Sequence, residues 1–404
     1  MQDNEKKPAL RFKGFTDPWE QRKVGDHLIP SKLPGHTGVD ARKLTVKLWG
    51  KGVVEKTDSY GGSEHTQYYV RHAGQFMYGK LDFLHAAFGI VPAELDNYES
   101  TLDSPAFDLS EINGKFLVSR VCKEDFYLKY GTIANGSRKA KRIHEDTFMD
   151  MPILVPELEE QERVAALLEA LDTLITLHQR KYEKLVNIKK SMLDKMFPQN
   201  GASVPEIRFK GFTDPWEQRK LEEYLEVSGQ KNFEGIYTKE DVLSVSGDFG
   251  IVNQIEFQGR SFAGASVANY GVVETGDIVY TKSPLKSNPY GIIKANKGKN
   301  GIVSTLYAVY KPKQSANPEF VQIYFEQDAR MNNYMHPLVN KGAKNDMKVS
   351  AENALKGQIV FPDIKEQRTI SEFFRNLDTL ITLHQRKLEK LQNIKKSCLE
   401  KMFV

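Results

Sequence analysis

Residues 171–181 read Leu-Asp-Thr-Leu-Ile-Thr-Leu-His-Gln-Arg-Lys, and the same eleven residues return at 377–387. A Glu-Gln pair stands before each copy, at 160–161 and at 366–367. An identity of this length does not arise from composition. The chain therefore contains an internal repeat with an offset of 206 residues.

Apolar residues recur at steps of three and four through both copies, which predicts an amphipathic helix. No Pro or Gly interrupts the first copy between Glu157 and Phe197. The predicted helix is about 40 residues and about 60 Å long. An apolar helix face of this length must pack against another apolar surface. The other copy can provide that surface, so that the two helices form a coiled coil. The residues that we predict to pair the two helices are Leu171, Ile175, His178, Leu185, Leu377, Ile381, His384 and Leu391.

The composition fits a soluble globular protein of two or three domains. The 404 residues are 40% hydrophobic and 27% charged, with a net charge of +4. We expect no membrane span, because no run of about 18 apolar residues occurs. The first residues lack the apolar core of a secretory signal. Two cysteines do not make a disulfide framework, so we expect a cytoplasmic protein.

A second repeat opens each half of the chain. Arg-Phe-Lys-Gly-Phe-Thr-Asp-Pro-Trp-Glu-Gln-Arg-Lys occurs at 11–23 and again at 208–220. Asp-Pro-Trp-Glu predicts a turn followed by a helix start, with Pro at the first helical position. We interpret each copy as an anchor whose Phe and Trp pack on a core.

Between the repeats, residues 24–135 and 221–341 differ from each other, and both indicate mixed α/β structure. Predicted strands are 115–121, 278–281, 291–294 and 302–310, and predicted helices are 81–88 and 320–332. Similarity resumes with two basic loops that each begin at a glycine, followed by a short helical piece and an apolar strand ending in Pro.

The predicted fold class is α+β, with two mixed α/β domains separated by two long antiparallel helices and a pseudo-twofold internal repeat. The linker cannot return across about 60 Å, because an extended chain covers only about 3.3–3.6 Å per residue. Hence the helices should run antiparallel, with Val404 near the first anchor and Phe197 near the second. The predicted boundaries are 1–156 (first domain, anchor 8–24), 157–198 (first helix), 199–204 (linker), 205–362 (second domain, anchor 205–221) and 363–404 (second helix).

No catalytic constellation is recognisable in the sequence. The phosphate-binding Gly-x-x-x-x-Gly-Lys-Ser/Thr loop does not occur, and the cysteines and histidines lack zinc spacing. Ser-Asn-Pro-Tyr at 287–290 lacks the second Pro of the base-amino methyltransferase motif. Phe-Ala-Gly-Ala at 262–265 falls short of the Phe-x-Gly-x-Gly loop that binds the methyl donor of those enzymes. We therefore expect no enzyme activity, no cofactor and no metal.

Basic loops remain as candidate binding elements. A charge run is usually a solvated face. A basic loop that recurs at one place in two otherwise different domains, however, favours a shared polyanion, with Lys and Arg on phosphates. The candidate DNA-binding residues are Arg138, Lys139, Lys141, Arg142, Lys282, Lys286, Asn288, Tyr290, Lys294, Lys297, Lys299, Lys344, Asn345 and Lys348.

Two variable domains alternating with two near-identical helices, each half opened by Arg-Phe-x-Gly-Phe-x-x-x-Trp-Glu, resemble the specificity subunit of a type I restriction–modification system. The resemblance implies that each variable domain is a target-recognition domain reading half of a bipartite double-stranded DNA site. It also implies that the helices set the spacing and dock two methyltransferase (modification) subunits, to which motor–nuclease (restriction) subunits attach. Two alternatives are a stand-alone methyltransferase or nuclease, and a structural coiled-coil dimeriser.

Overall fold

The computed structural model describes residues 6–38, 40–57, 63–132, 142–199, 201–282, 288–339 and 349–404. The chain divides into two compact units. The first contains residues 1–179 and 386–404, and the second contains residues 180–385. Each unit therefore holds one variable region together with part of each long helix.

The first unit begins with strands and ends in a long helix. Its strands are β1 (Glu20–Lys23), β2 (Leu28–Ser31), β3 (Pro34–Thr37), β4 (Leu44–Val46), β5 (Val53–Glu55), β6 (Gln67–Arg71), β7 (Phe76–Tyr78), β8 (Phe88–Ile90), β9 (Tyr98–Ser100), β10 (Ala106–Leu109) and β11 (Pro152–Val155). Its helices are α1 (Gly114–Val121), α2 (Glu124–Gly131), α3 (Glu145–Met149) and the first part of α4 (Leu158–Lys195).

Four antiparallel strands in the order β2-β10-β7-β8 form the main sheet of the first unit. A three-stranded sheet, β3-β6-β9, and two pairs, β4-β5 and β1-β11, accompany it. The core is rich in aromatic side chains. Phe148 of α3 stacks on Phe76 with ring centroids 5.8 Å apart and contacts Tyr78 at 4.5 Å, so this short helix closes the sheet.

The second unit repeats this plan. Its strands are β12 (Glu217–Lys220), β13 (Leu225–Val227), β14 (Leu243–Ser246), β15 (Gly250–Asn253), β16 (Gly271–Val273), β17 (Ile278–Thr281), β18 (Ile293–Ala295), β19 (Gly301–Val303), β20 (Tyr307–Pro312) and β21 (Gln358–Phe361). Its helices are α5 (Gln254–Gln258), α6 (Pro318–Tyr324), α7 (Asp328–Met335), α8 (Ala351–Ala354) and the first part of α9 (Ile364–Lys401).

The main sheet of the second unit has the order β13-β20-β17-β18, which matches the first unit strand for strand. The pair β12-β21 likewise corresponds to β1-β11, with Glu217 opposite Phe361 as Glu20 is opposite Val155. Two variable regions without extended sequence identity thus share the topology of the main sheet, whereas their smaller sheets differ. The additional strand pairs, β14-β15 and β16-β19, belong to the second unit.

The prediction of two long helices is confirmed. Helices α4 and α9 each have 38 residues, which corresponds to about 57 Å. In the first unit Cys398 and Met402, near the end of α9, share a core with Leu168 and Leu171 of α4. In the second unit the end of α4 shares a core with the start of α9, through Leu193, Met196, Phe374 and Leu377. The two segments are therefore antiparallel within each unit.

The predicted helix start after each anchor is wrong. Trp19 enters the core, only 1% exposed, and the chain continues as β1, which pairs with β11. Trp216 and β12 repeat this arrangement. The pairing of Glu-Gln-Arg-Lys with a distant apolar strand outweighs the local preference for a helix after Pro.

The predicted strand at 115–121 is also wrong, because this stretch is helix α1. The Asn113 side chain accepts a hydrogen bond from the Phe116 N–H at 3.1 Å and caps the helix. Phe116, Leu117, Arg120 and Val121 then lie on its buried face. Spacings of one, three and four suit a helix, and they outweigh the β-branched composition.

Three other predicted elements are partly or wholly wrong. Residues 81–88 form a 3₁₀ turn at Phe83–His85 before β8. The helix predicted at 320–332 is split into α6 and α7, because Phe325 turns into the core and contacts Tyr334 at 4.9 Å. Residues 302–310 form the two strands β19 and β20 instead of one. The strand predicted at 278–281 is β17 itself.

Candidate nucleic-acid interface

The Glu-Gln pair at the start of each long helix fastens a variable domain to that helix. Arg11 donates to the two carboxylate oxygens of Glu160 from Nε and Nη2, both at 2.7 Å. Arg208 binds Glu366 in the same way, at 2.8 and 2.7 Å. Both carboxylates are buried, so the ion pair is shielded from water. The repeated Arg of the anchor and the repeated Glu of the helix are thus partners.

The neighbouring Gln binds main chain on both sides. The Gln161 side-chain amide donates to the Pro156 carbonyl at 2.9 Å, and its oxygen accepts the Asn113 N–H at 2.9 Å. Gln367 repeats both contacts with Pro362 and Asn317, again at 2.9 Å. Asn113 and Asn317 cap α1 and α6. We call the Arg–Glu pair and these Gln contacts the joint of each unit.

Each unit also contains a three-membered charge cluster beside the long helices. In the first unit Asp172 binds Lys115 at 2.8 Å and also pairs with Lys395 of α9. Burial raises the pKa of the Asp172 carboxyl, but the hydrogen bonds from the two lysines outweigh burial, so the pKa is lowered. Asp172 is therefore held in its charged form.

In the second unit the charges are reversed, with one lysine between two carboxylates. Lys189 binds Glu326 at 2.6 Å and Asp378 at 2.7 Å. Burial lowers the pKa of the Lys189 ammonium, but the two carboxylates outweigh it and raise the pKa. Asp172 and Asp378 occupy equivalent places in the repeat, as do Lys189 and Lys395. The helices thus present the same Asp–Lys pair in each unit, and the variable domain contributes a Lys in one and a Glu in the other.

The helix ends meet the anchors as expected. In the first unit the Leu10 N–H donates to the Lys401 carbonyl at 2.8 Å, and Phe403 contacts Trp19 with ring centroids 6.1 Å apart. In the second, the Ile207 N–H donates to the Lys195 carbonyl at 2.9 Å, and Phe197 contacts Trp216 at 5.9 Å. The repeated Trp therefore packs against the end of the other long helix.

Half of the candidate DNA-binding residues lie outside the described residues. They are Arg138, Lys139, Lys141, Lys286, Lys344, Asn345 and Lys348. Both basic loops that begin at a glycine fall in this group, apart from Arg142. The prediction that these residues contact DNA stays a prediction.

Arg142 marks the end of the first of these loops. Its side chain is about half exposed and lies 3.6 Å from the Asp103 carboxylate. Nearby, Lys80 and Lys32 share the Glu145 carboxylate, at 2.9 and 3.2 Å. Three cationic side chains, those of Arg142, Lys80 and Lys32, thus lie near the end of this basic stretch, each beside a carboxylate.

Three candidates of the second unit gather at the end of β17. Lys282 donates to the Thr305 carbonyl at 2.8 Å. The Tyr290 carbonyl accepts the Tyr280 hydroxyl at 2.7 Å, and Asn288, which is buried, lies two residues before Tyr290. Burial lowers the pKa of the Lys282 ammonium, and the nearby Lys231 lowers it further.

The other candidates of the second unit lie elsewhere. Because β18 runs antiparallel to β17, with Ala295 opposite Ile278, the exposed Lys297 and Lys299 lie toward the opposite end of β17 from Lys282. Lys294 is buried, and it lines a cavity of about 440 Å³ together with residues of the long helices. Burial lowers the pKa of its ammonium. We leave Lys294 out of the interface proposed below.

The sequence interpretation did not include Lys80, which is the equivalent of Lys282 in the first unit. Lys80 follows Tyr78 at the end of β7, as Lys282 follows Tyr280 at the end of β17, and these strands occupy the same place in their sheets. Lys80 binds Glu145, whereas Lys282 binds a carbonyl. The signal in the sequence was Tyr-x-Lys closing an apolar strand in both variable regions.

The helix-pairing candidates differ in burial. Leu171 and Leu377 lie in the two main cores, and Leu391 and Leu185 pack against those cores from the side. The other four candidates are half-buried: Ile175, His178, Ile381 and His384. Ile175 lines a cavity of about 1040 Å³ in the first unit.

Among the described residues, no three His, Cys, Asp or Glu side chains gather as metal ligands. No helix in that part of the chain is long and apolar enough to cross a bilayer. Cys122 and Cys398 are free thiols, and burial raises the pKa of the Cys122 thiol to about 12.

Comparisons with known proteins confirm the resemblance drawn from the repeats. The chain is 24% identical over 293 residues to the MjaX type I restriction enzyme specificity subunit of Methanocaldococcus jannaschii, and 23% identical over 286 residues to the MjaVIII specificity subunit of the same organism. Each match covers 68% of this chain, but it spans only 63% and 65% of the respective relatives' own lengths. No family model matches the chain.

A solved structure shows the same fold. It is the crystal structure of the S subunit of a type I restriction–modification system from M. genitalium, which is 13% identical in sequence with a TM-score of 0.54. The match covers 98% of this chain and 99% of that chain. The similarity therefore extends over both units.

Proposed function

We propose that this chain is the DNA-recognition subunit of a type I restriction–modification enzyme, and that each unit reads one half of a bipartite double-stranded DNA target. The observation that carries the proposal is the repetition of one joint and one sheet topology in both units. The repeated anchors and long helices hold both domains by the same contacts. The variable regions 24–135 and 221–341 give each domain a different surface.

The candidate interface lies where each variable domain carries cations. In the first unit we propose Arg142 with the basic residues before it, and in the second unit Lys282 and Tyr290 with Lys286. Asn288 is as buried as Lys294 and is likewise left out. Lys and Arg on phosphates would supply most of the affinity, and contacts to base edges the specificity. Without methyl-donor or nucleotide motifs in the sequence, we assign the chain no chemical step.

An exchange experiment tests independent reading by the two units. Replacing residues 221–341 with the equivalent region of another such protein should change one half of the target and leave the other half unchanged. The reason is that Arg208, Glu366 and Gln367 stay in place to hold the new domain. The measurement is sequencing of modified DNA from cells that carry the chimaera and its modification subunits.

The reciprocal exchange of residues 24–135 is the matched control, and it should change the opposite half. A change of both halves in either chimaera would contradict independent reading. Binding of a methyl donor by the isolated chain would favour a stand-alone methyltransferase. If gel shifts at two salt concentrations, with partner subunits present, show no DNA binding, the chain would instead be a structural coiled-coil dimeriser.

We further propose that the long helices dock two modification subunits, through which restriction subunits join a cytoplasmic complex. Leu174 and Leu177 of α4 are 42% and 45% exposed, and Leu380 and Leu383 of α9 are 43% and 44% exposed. The two pairs are equivalent in the repeat. Four exposed leucines at equivalent places fit a partner that binds twice.

Replacing Leu174 and Leu177 with Asn should remove one of the two modification subunits. Fully burying an exposed leucine contributes about 1.5–3 kcal/mol, but these two leucines have less than half of their surface left to bury. Losing both should therefore weaken binding about tenfold or somewhat more. Native mass spectrometry of the assembled complex gives the stoichiometry. The same change at Leu380 and Leu383 should remove the other subunit.

Leu128→Asn is the control for this experiment, because Leu128 is 45% exposed but lies on α2, away from the repeated stretch. Its complex should keep two modification subunits. Full stoichiometry in the variant that carries all four Asn residues would contradict this docking surface.

A further inference from the structure

A buried carboxylate in the first unit holds an exposed histidine. Glu99 of β9 is 2% exposed. Its oxygens accept the His36 backbone N–H at 2.7 Å and lie 2.5 Å from the His36 ring Nδ1. Gly35 makes this approach possible, because a Cβ there would lie 2.3 Å from a Glu99 oxygen. The turn before His36 is thus shaped around the carboxylate.

The sheet β3-β6-β9 places a second cation on the same face. Glu99 pairs with Val70, so Tyr68, two residues before Val70, shares the face of Glu99. Lys43 forms a bridge with Glu99, and its ammonium lies 5.0 Å from the centre of the Tyr68 ring. Lys43 and His36 therefore both adjoin Glu99, and the Tyr68 ring beside the Lys43 ammonium is buried.

The orientation of the imidazole leaves one ring nitrogen for another partner. When Nδ1–H donates to Glu99, Nε2 is directed away from the carboxylate. The side chain is 65% exposed. The hydrogen bond to Glu99 raises the pKa of the His36 imidazole, and the charge of Asp40 raises it further. The charged groups that bear on His36 are thus Glu99 and Asp40, with Lys43 on the same face.

We propose that His36, held by Glu99, donates from Nε2 to a backbone phosphate of the first half-site, beside Lys43. This inference rests on the proposed function and adds a contact to it. A cationic N–H fixed in direction by a carboxylate makes a charge-assisted hydrogen bond to a phosphate oxygen. The pair contacts the backbone and does not choose bases.

The first test is the salt dependence of DNA binding by the full chain assembled with its modification subunits. His36→Gln should weaken binding to the target about tenfold at pH 6. The slope of log affinity against log salt should fall by about 0.9, which corresponds to one phosphate contact. His72→Gln is the matched control, because His72 lies 3.3 Å from Asp96 with both side chains almost half exposed.

The second test is the pH dependence. Because the pKa of His36 is raised, the contact is complete below the ordinary histidine value and is lost as the pH rises through the raised value. Wild-type affinity should therefore fall over that range, and His36→Gln should show a weaker dependence. Glu99→Gln keeps the shape of the side chain and should move the loss to lower pH, as NMR titration of the His36 ring can follow.

The outcomes are separable. A wild-type complex that shows no target preference would overturn the proposed function itself. A wild-type complex that reads its target, with His36→Gln unchanged in affinity, slope and pH dependence, would overturn only the His36 contact. A loss that His72→Gln reproduces would indicate a general histidine effect and would also overturn it. Circular dichroism melting of each variant, together with Glu99→Gln, separates loss of folding from loss of the contact.

Discussion

Arg11→Ala is expected to destabilise the first unit by about 3–5 kcal/mol, because it leaves the buried Glu160 carboxylate without its partner. Glu160 is 1% exposed and receives both Arg11 hydrogen bonds at 2.7 Å, so water cannot replace the guanidinium without opening the joint. Urea unfolding measures the loss in free energy. Hydrogen exchange should show that amides of the first unit lose protection.

Two variants sharpen this prediction. Arg22→Ala removes an equally close ion pair with Glu20, but both side chains are more than half exposed. It should cost no more than about 1 kcal/mol. Arg11→Ala combined with Glu160→Gln removes the uncompensated charge and should recover part of the lost stability. Equal effects of Arg11→Ala and Arg22→Ala would mean that the joint is no stronger than a surface pair.

Lengthening both long helices is expected to widen the gap between the half-sites without changing either half. Four residues inserted after Asn187 and four after Asn393 add about 6 Å to each helix. If helix length sets the spacing, as the resemblance implies, the target gains one or two unread base pairs at about 3.4 Å each. Mapping of modified sites in cells would show the new gap.

Inserting the residues in only one helix is the control. The apolar stripes and the pairs Asp172–Lys395 and Lys189–Asp378 would then fall out of register, so this variant should lose stability instead of changing its target. An unchanged gap in the doubly extended protein, with modification still active, would show that the helices do not set the spacing.

The sequence alone predicted the long helices, because an apolar stripe repeated over many turns depends only on local periodicity. It predicted their antiparallel course because the linker is too short to return along a helix. It failed where distant residues decide the conformation. A short apolar stretch such as 115–121 fits a strand or a helix, and the Asn113 turn that starts helix α1 is held by Gln161, 48 residues away. The strand β1 was read as a helix, since its partner Val155 lies far along the chain.

The candidate interface was predicted only in part. Lys282 and Arg142 were proposed because basic residues cluster around them along the chain, and their contact with DNA stays a prediction. Lys80 binds Glu145, 65 residues away, and His36 meets Glu99 across 63 residues. The spacing of residues along the sequence does not predict contacts between side chains so far apart in the chain. Lys294 lies in a basic stretch of the sequence but is buried within β18, and the sequence does not reveal this burial.

The joint recognises main chain on the variable side. Gln161 and Gln367 bind a proline carbonyl and the peptide N–H of an asparagine, so neither contact depends on which side chains the sheet displays. At the joint, a variable region therefore has to supply only a backbone N–H at the position of Asn113 or Asn317. A different variable region could be held by the same glutamine, provided that its backbone follows the same path there.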